Sequence, residues 1–504
     1  MGRTAESVGV STEQRVSPEA SRGLTAFGSL ELIRKKLPII VAISAVLLVP
    51  CFWQPNLEAG DLRSHVYNAW LVQLIERGQA PGLSIARQWN NVLFDFVVSA
   101  LGRLVSLPVA GRLAAAVSVL IFFWGAFAFA SAMIQRPPWS ILPILAMVAY
   151  GWTFQEGLLN YYLSIGLAFW GISAFQYRKW PGSFAILALA PLVWMAHPLG
   201  LLWMIAAAGY LAIAEVVPIR FHFLLVLLAV VILTAAELDL KRHFVVQVPD
   251  HSVIFYNGLD QLIFAGRYEL PAMALCVTLL LALIVEVWRE GKYAEFFAKC
   301  AVPLELYLIV EASAQLLPET VYLPHYSAPV SALTPRLTSV SAILLCCLIG
   351  VIRTQKWHVY VFATVAVVFF IFLYRDTLVF NRMQEQAERL VHSLPPGQRI
   401  IETMKQPLKY RFSVKHMSEA SCIGYCFSYG NYEASSLQFR VRAAPDNSIV
   451  VSDVPDGSAM ERGDYVVQAR ILPAYHLYQC GADWTTLCIR QLEAGETLNH
   501  VAGR

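Results

Sequence analysis

Charge is what this chain has least of. Only 14% of its 504 residues are Asp, Glu, Lys or Arg, against roughly 25% in an average soluble protein. The shortage is uneven. Residues 1–36 carry 10 charges and residues 381–504 carry 26, leaving 37 for the 344 residues between. A soluble globule needs charge to cover its surface, so the middle of the chain is not one, and a soluble enzyme, a nucleic-acid binder and a disordered protein are excluded. The net charge of +3 is too small to point to a polyanionic partner. Dinucleotide-binding and P-loop glycine patterns are missing, as is any internal repeat. What abounds is apolar: 57% of the chain is hydrophobic, in runs whose natural solvent is lipid.

Those runs fall at 37–52, 113–134, 139–151, 158–176, 183–196, 198–215, 221–237, 270–288, 300–316, 338–352 and 357–374. The polar segment 1–36 precedes them and reads as a disordered tail. Its last residues, Arg34, Lys35 and Lys36, mark a cytoplasmic N-terminus. Segment 92–107, VLFDFVVSALGRLVSL, is ambiguous because Asp95 and Arg103 sit in its middle, which is costly in hydrocarbon. Loop charge decides. If 92–107 does not span, the inner loops hold nine cations (Arg136, Arg178, Lys179, Arg220, Arg289, Lys292, Lys299, Arg353, Lys356) and the later outer loops four (Lys241, Arg242, Arg267, Arg336). If it does span, the bias reverses. The expectation is therefore an all-α polytopic membrane protein with about 11 transmembrane helices over 37–380. Its first outer loop is 54–112, with 92–107 lying in the outer interface as an amphipathic helix.

The tail 381–504 has ordinary charge, 13 basic and 13 acidic residues, and is expected to be a small extracytoplasmic α/β domain. Strands are predicted at 437–441, 448–452 and 465–469, and a helix at 384–394 that Pro395-Pro396-Gly397 stops. Five of nine cysteines lie in or near spans; Cys422, Cys426, Cys480 and Cys488 lie in the tail. An even count outside the membrane suggests two disulfides, with three pairings open, and four buried thiols as the alternative. The spacing matches no common zinc pattern.

The polar residues that stand out lie on the predicted outer side. In GDLRSHVYNAWL, residues Asp61, His65 and Asn68 share one helix face. A carboxylate beside an imidazole at the edge of the bilayer can be tuned as a general base; Asp61 also suits a plain helix N-cap. In YGWTFQEGLLNYYLSIGLAFWG, Glu156 sits in the second outer loop with Asn160 and Tyr161 just beyond, either reaching water or facing a cavity. His197 precedes Pro198, where packing or capping is the ordinary role. Among outer cations, Arg267, His325 and Arg336 could serve a phosphate.

The stretch LFDFVVSALGRLVSLPVAGRLAAAVSVL, placed after an outer loop that opens with an acid, resembles the interfacial helix and second-span entry of the GT-C superfamily. These integral membrane glycosyltransferases include protein O-mannosyltransferases and lipid A aminoarabinose transferases. The resemblance covers about residues 37–215. GLLNYYLSIGLA is similar to the second hairpin of a set of bacterial membrane proteins with an Asp…His first loop. Two features depart from the pattern: Asp61 is followed by Leu62 rather than a second acid, and Trp89-Asn90-Asn91 replaces a Pro pair.

What the resemblance implies is an inverting glycosyltransferase of a bacterial inner membrane, moving a sugar from a polyprenyl-phosphate carrier to an acceptor at the outer face. Asp61 would take the acceptor's proton, with His65 orienting it or binding sugar. Glu156 would hold hydroxyls, and Arg267 and Arg336 would meet the leaving phosphate. Asn68, Asn160, Tyr161, His197 and His325 complete the candidate substrate site. Asp61 and Glu156 could also share a divalent metal, which nothing in the sequence requires. The expected partners are a lipid-linked sugar, membrane lipid and an acceptor, with no nucleic acid. The alternatives are a transporter or flippase of a lipid-linked substrate, and a non-catalytic assembly or sensor protein.

Overall fold

The computed structural model describes residues 26–178, 180–248, 256–290, 293–352, 355–405, 411–481 and 483–498; residues 1–25 and the loop cations Lys179, Lys292 and Arg353 lie outside these. Helices dominate. Among the described residues six are long and apolar enough to cross a membrane: Leu107–Ile134, Pro198–Val216, Ile219–His243, Gly266–Trp288, Leu333–Val351 and Lys356–His392. In hydrocarbon an apolar run must satisfy its own peptide groups, and the helix does so within one segment. The most apolar window of Ile219–His243 is not buried inside the protein at all. It presents Phe223, Leu227, Leu228, Val231 and Ile232 outward, a surface that water would not tolerate at this extent. The chain is a helical protein of membrane type.

Most predicted runs are helical, and several differ from expectation. The first helix, Ala26–Phe52, begins inside the segment expected to be disordered. Runs 158–176, 183–196 and 300–316 lie in Leu159–Arg178, Trp180–Ala196 and Tyr293–Leu316. Run 139–151 is broken: Leu142–Ala149 has 8 residues, and Gly151 starts a further turn, Trp152–Gln155. Segment 92–107 yields a helix of only 9 residues, Leu93–Leu101, far short of the ~20 a crossing needs. A new helix then starts at Leu107 with Pro108 in its first turn, where proline's missing N–H costs nothing.

The helix expected at 384–394 is the end of the 37-residue helix Lys356–His392. Beyond it lies a four-stranded sheet in the order Phe427–Ser428, Arg399–Thr403, Ala474–Gln479, Leu487–Gln491. The first two pairings are parallel and the last is antiparallel, with Ile401 opposite His476 and Leu477 opposite Ile489. Ile401, Tyr429, Met460, Val467 and Leu492 pack its core.

Of the three predicted strands, 437–441 shares only Val441 with the observed strand Val441–Ala443. Residues 448–452 form none, because the Asn447 side chain accepts from the N–H groups of Ile449 and Val450 that a ladder would need. Residues 465–469 contribute one isolated bridge, Val466 with Thr497. The pairing there is short, with Tyr465 and Val467 exchanging backbone bonds with Gly495, Glu496 and Leu498 around that bridge. Leu83–Ile85 from the first loop pairs antiparallel with Val441–Ala443, fastening the C-terminal region onto that loop. Both disulfides are present, Cys422–Cys426 and Cys480–Cys488.

Candidate functional site: an acid pair between two loops and the C-terminal region

Asp61 stands at the N-cap of helix Leu62–Glu76, yet its side chain makes no capping bond. Its backbone N–H donates to the Glu156 carbonyl at 3.1 Å, which locks the two loops together. Glycine makes that approach feasible. A Cβ on Gly60 would sit 2.1 Å from the Glu156 oxygen, and one on Gly157 would sit 2.2 Å from the Asp61 nitrogen; both glycines also have positive φ, +35° and +81°. The two acids that the sequence singled out are thus neighbours.

The Asp61 carboxylate, 27% exposed, faces Nε2 of buried His416 at 3.2 Å. The other ring nitrogen of His416, Nδ1, faces the Glu419 carboxylate at 3.1 Å. Burial alone would raise the pKa of Asp61, but the bond to His416 and the charges of His416, His65 and Lys415 outweigh it and hold the group below the ordinary value. Glu156 goes the other way. Burial and then the charge of Asp61 push it up to about 7, against the pull of Lys415, His416 and Arg411. Two carboxyls in electrostatic contact therefore differ in character, one held in its ionised form and one raised toward neutral pH.

The helix face Asp61, His65, Asn68 forms as expected, but its side chains part company. His65 does not orient Asp61: its Nδ1 lies 2.8 Å from Asp95. The Asn160 amide donates to the other Asp95 oxygen at 2.9 Å and to the Asn91 carbonyl, while its own oxygen accepts from the Phe94 N–H. Asp95, costly in a span, is thereby accommodated. Asn68 donates to Glu433 at 2.6 Å and Ser64 donates to the same carboxylate at 2.7 Å. Burial opposes the charge on His65, but Asp95, Glu433 and Asp61 raise it to about 9. Glu433 is lifted by burial to about 7.

The remaining candidates separate. Tyr161 donates to the Arg336 carbonyl at 2.7 Å, its ring lies under the Arg336 guanidinium, and it packs edge-on against His197. Arg336 has a buried Nε with no acceptor among the described residues and lies within electrostatic reach of Asp61. His197 caps helix Pro198–Val216 by accepting from Leu199. Arg267, expected at a leaving phosphate, is instead paired with Asp376, whose second oxygen accepts from Tyr268 at 2.6 Å. His325 is exposed in the turn around residues 323–327. Among the described residues no group of three or more His, Cys, Asp and Glu is arranged to hold a metal ion.

Sequence reasoning missed His416, Glu419, Glu402, Lys415, Asp95 and Glu433. His416 and Glu419 carry a local signal, a one-turn spacing in KHMSEASC. The others gave none, since their partners lie on other elements: Glu402 bonds the His416 and Ser418 N–H groups, Lys415 pairs with Glu461, Asp95 with His65 and Asn160, and Glu433 with Ser64 and Asn68. No family model, curated protein or solved structure matches the chain.

Proposed function

We propose that this chain is an inverting glycosyltransferase using a polyprenyl-phosphate-linked sugar at the outer face of a bacterial inner membrane, crossing it several times with the N-terminus inside and the C-terminal region outside. The observation that carries the reading is the Asp61–Glu156 pair, part-exposed at the junction of two loops, with Arg336 nearby. Paired disulfides in the C-terminal region agree with an oxidising compartment.

The environments favour dividing the work of the two acids. A general base is most effective with a pKa near the working pH, so Glu156 is the better proton acceptor, and Asp61 is the fixed anion beside it. The acceptor hydroxyl would lose its proton to Glu156 as its oxygen forms a bond to the anomeric carbon from the face opposite the phosphate. The carbon–oxygen bond to the carrier breaks, and polyprenyl phosphate leaves with the electron pair. Positive charge developing on the sugar faces Asp61, and the negative charge on the departing phosphate requires a cation, for which Arg336 is the candidate. Arg267 is paired with Asp376, which makes Arg336 the stronger candidate.

Asp61→Asn tests the reading. Transfer from a labelled polyprenyl-phosphate sugar should fall ~100-fold or more, with the protein still folded; transfer equal to the parent would remove Asp61 from the chemistry.

A further inference from the structure

Asp61 and Glu156 both come from loops in the N-terminal half, yet the group that holds Asp61 in place comes from the C-terminal region. Three observations bear on that group. Both ring nitrogens of His416 face carboxylate oxygens, Asp61 at 3.2 Å and Glu419 at 3.1 Å. Carboxylates only accept, so the arrangement is satisfied on both sides by a ring with a hydrogen on each nitrogen, the imidazolium form. The His416 backbone is left-handed, with φ 68° and ψ 22°, a conformation uncommon for a side-chain-bearing residue and one that persists only where the surroundings enforce it. The enforcement is visible: Glu402 accepts from the N–H of His416 at 2.5 Å and from the N–H of Ser418 at 2.6 Å, clamping the start of helix Met417–Cys422. This arrangement aims the ring at Asp61.

We propose that His416 is the positioning residue of the acid site: as an imidazolium between Asp61 and Glu419, it fixes the Asp61 carboxylate beside Glu156, so the C-terminal region completes the reaction centre. The kinetic part rests on the glycosyl-transfer reading; the ionic part does not. The groups facing His416 are Asp61 from the first loop, Glu419 on its own helix, Glu402 from the sheet, and Tyr432 with its ring 6.1 Å away. Lys415 and Glu156 lie within electrostatic reach of the same cluster. Burial disfavours the charged ring, but Glu419 and Asp61 outweigh it and hold the pKa well above the ordinary value.

The test uses full-length protein in lipid nanodiscs and two readouts. Histidine C2-hydrogen exchange, followed by mass spectrometry against pH, reports the titration of His416 itself. Its midpoint should lie above about pH 8, against ~6.5 for a free histidine, and Asp61→Asn should lower it by about one pH unit or more. This readout leaves His416 in place and does not depend on turnover. With polyprenyl-phosphate mannose as the donor probe, His416→Gln should lower kcat about tenfold while KM changes less than about twofold. His416→Lys, which restores a cation, should recover part of the loss. A midpoint near pH 6.5 that ignores Asp61→Asn overturns the proposal. So does an unchanged kcat in His416→Gln alongside an active parent. Coupling of the two groups in a parent that never consumes the probe would uphold the ionic arrangement and remove the transferase reading.

Discussion

Replacing Glu156 by Gln should stabilise this protein, by an amount that grows as pH rises from about 5 and is nearly complete above about pH 7. The Glu156 carboxyl is raised from 4.5 to about 7 by burial and by Asp61, so the folded state keeps a proton that the unfolded chain releases. That contribution is complete below the unfolded value and is lost as pH rises through about 7. By pH 8 the cost of the ionised group, at ~1.4 kcal/mol per pH unit between the two values, is about 3 kcal/mol. Because Glu156 is only partly buried, water screens part of this, leaving about 2 kcal/mol. Gln has the same shape and no charge, so the variant should gain about that much at pH 8 and under about 1 kcal/mol at pH 5. Thermal unfolding in nanodiscs, followed by tryptophan fluorescence at both pH values, should show a rise in Tm of ~2–4 °C at pH 8 and little change at pH 5. Equal shifts at both pH values, or a lower Tm at pH 8, would refute the reasoning. The same variant should lose transfer activity, the expected exchange of stability for function at a strained site.

Two further outcomes are expected. Arg63 and Glu58 form a buried ion pair, each 5% exposed, so Arg63→Ala should cost about 3 kcal/mol by stranding Glu58. Arg63→Met with Glu58→Leu should recover most of it in the same unfolding assay. A phosphatase reporter that folds only outside the cytoplasm, fused after Arg504, should be active; activity instead from a cytoplasmic reporter would place the acid pair on the inner side.

How much of this was legible in the sequence depends on the range of the interactions. The apolar runs announce helices because each satisfies its hydrogen bonds locally. Asp61 and Glu156 stood out because carboxylates are scarce in the middle of the chain. Their adjacency was not legible, since it rests on a backbone contact that Gly60 and Gly157 permit. Asp95 misled as a mere cost: its compensation by His65 and Asn160 joins three separate segments. The strand predictions failed where buried alternation coincided with side-chain bonds to the backbone, as at Asn447. His416 was hidden for a related reason. Its left-handed backbone is held by Glu402, and nothing near it in sequence announces that geometry.

Helix Lys356–His392 has 37 residues, which at 1.5 Å per residue is a rod of about 55 Å. Along its C-terminal half, Asp376 holds Arg267, Asn381 bonds Glu58 and the Asn56 backbone, and Gln384 bonds Ser421 and the Met417 carbonyl. A single uninterrupted rod works as a lever: a tilt of about 5° carries one end some 5 Å relative to the other. The apolar part of this helix and the helix that carries His416's neighbours are thus joined by one stiff element. On the proposed membrane topology, bilayer thickness would act through this helix's tilt as a mechanical input to the placement of the acid pair.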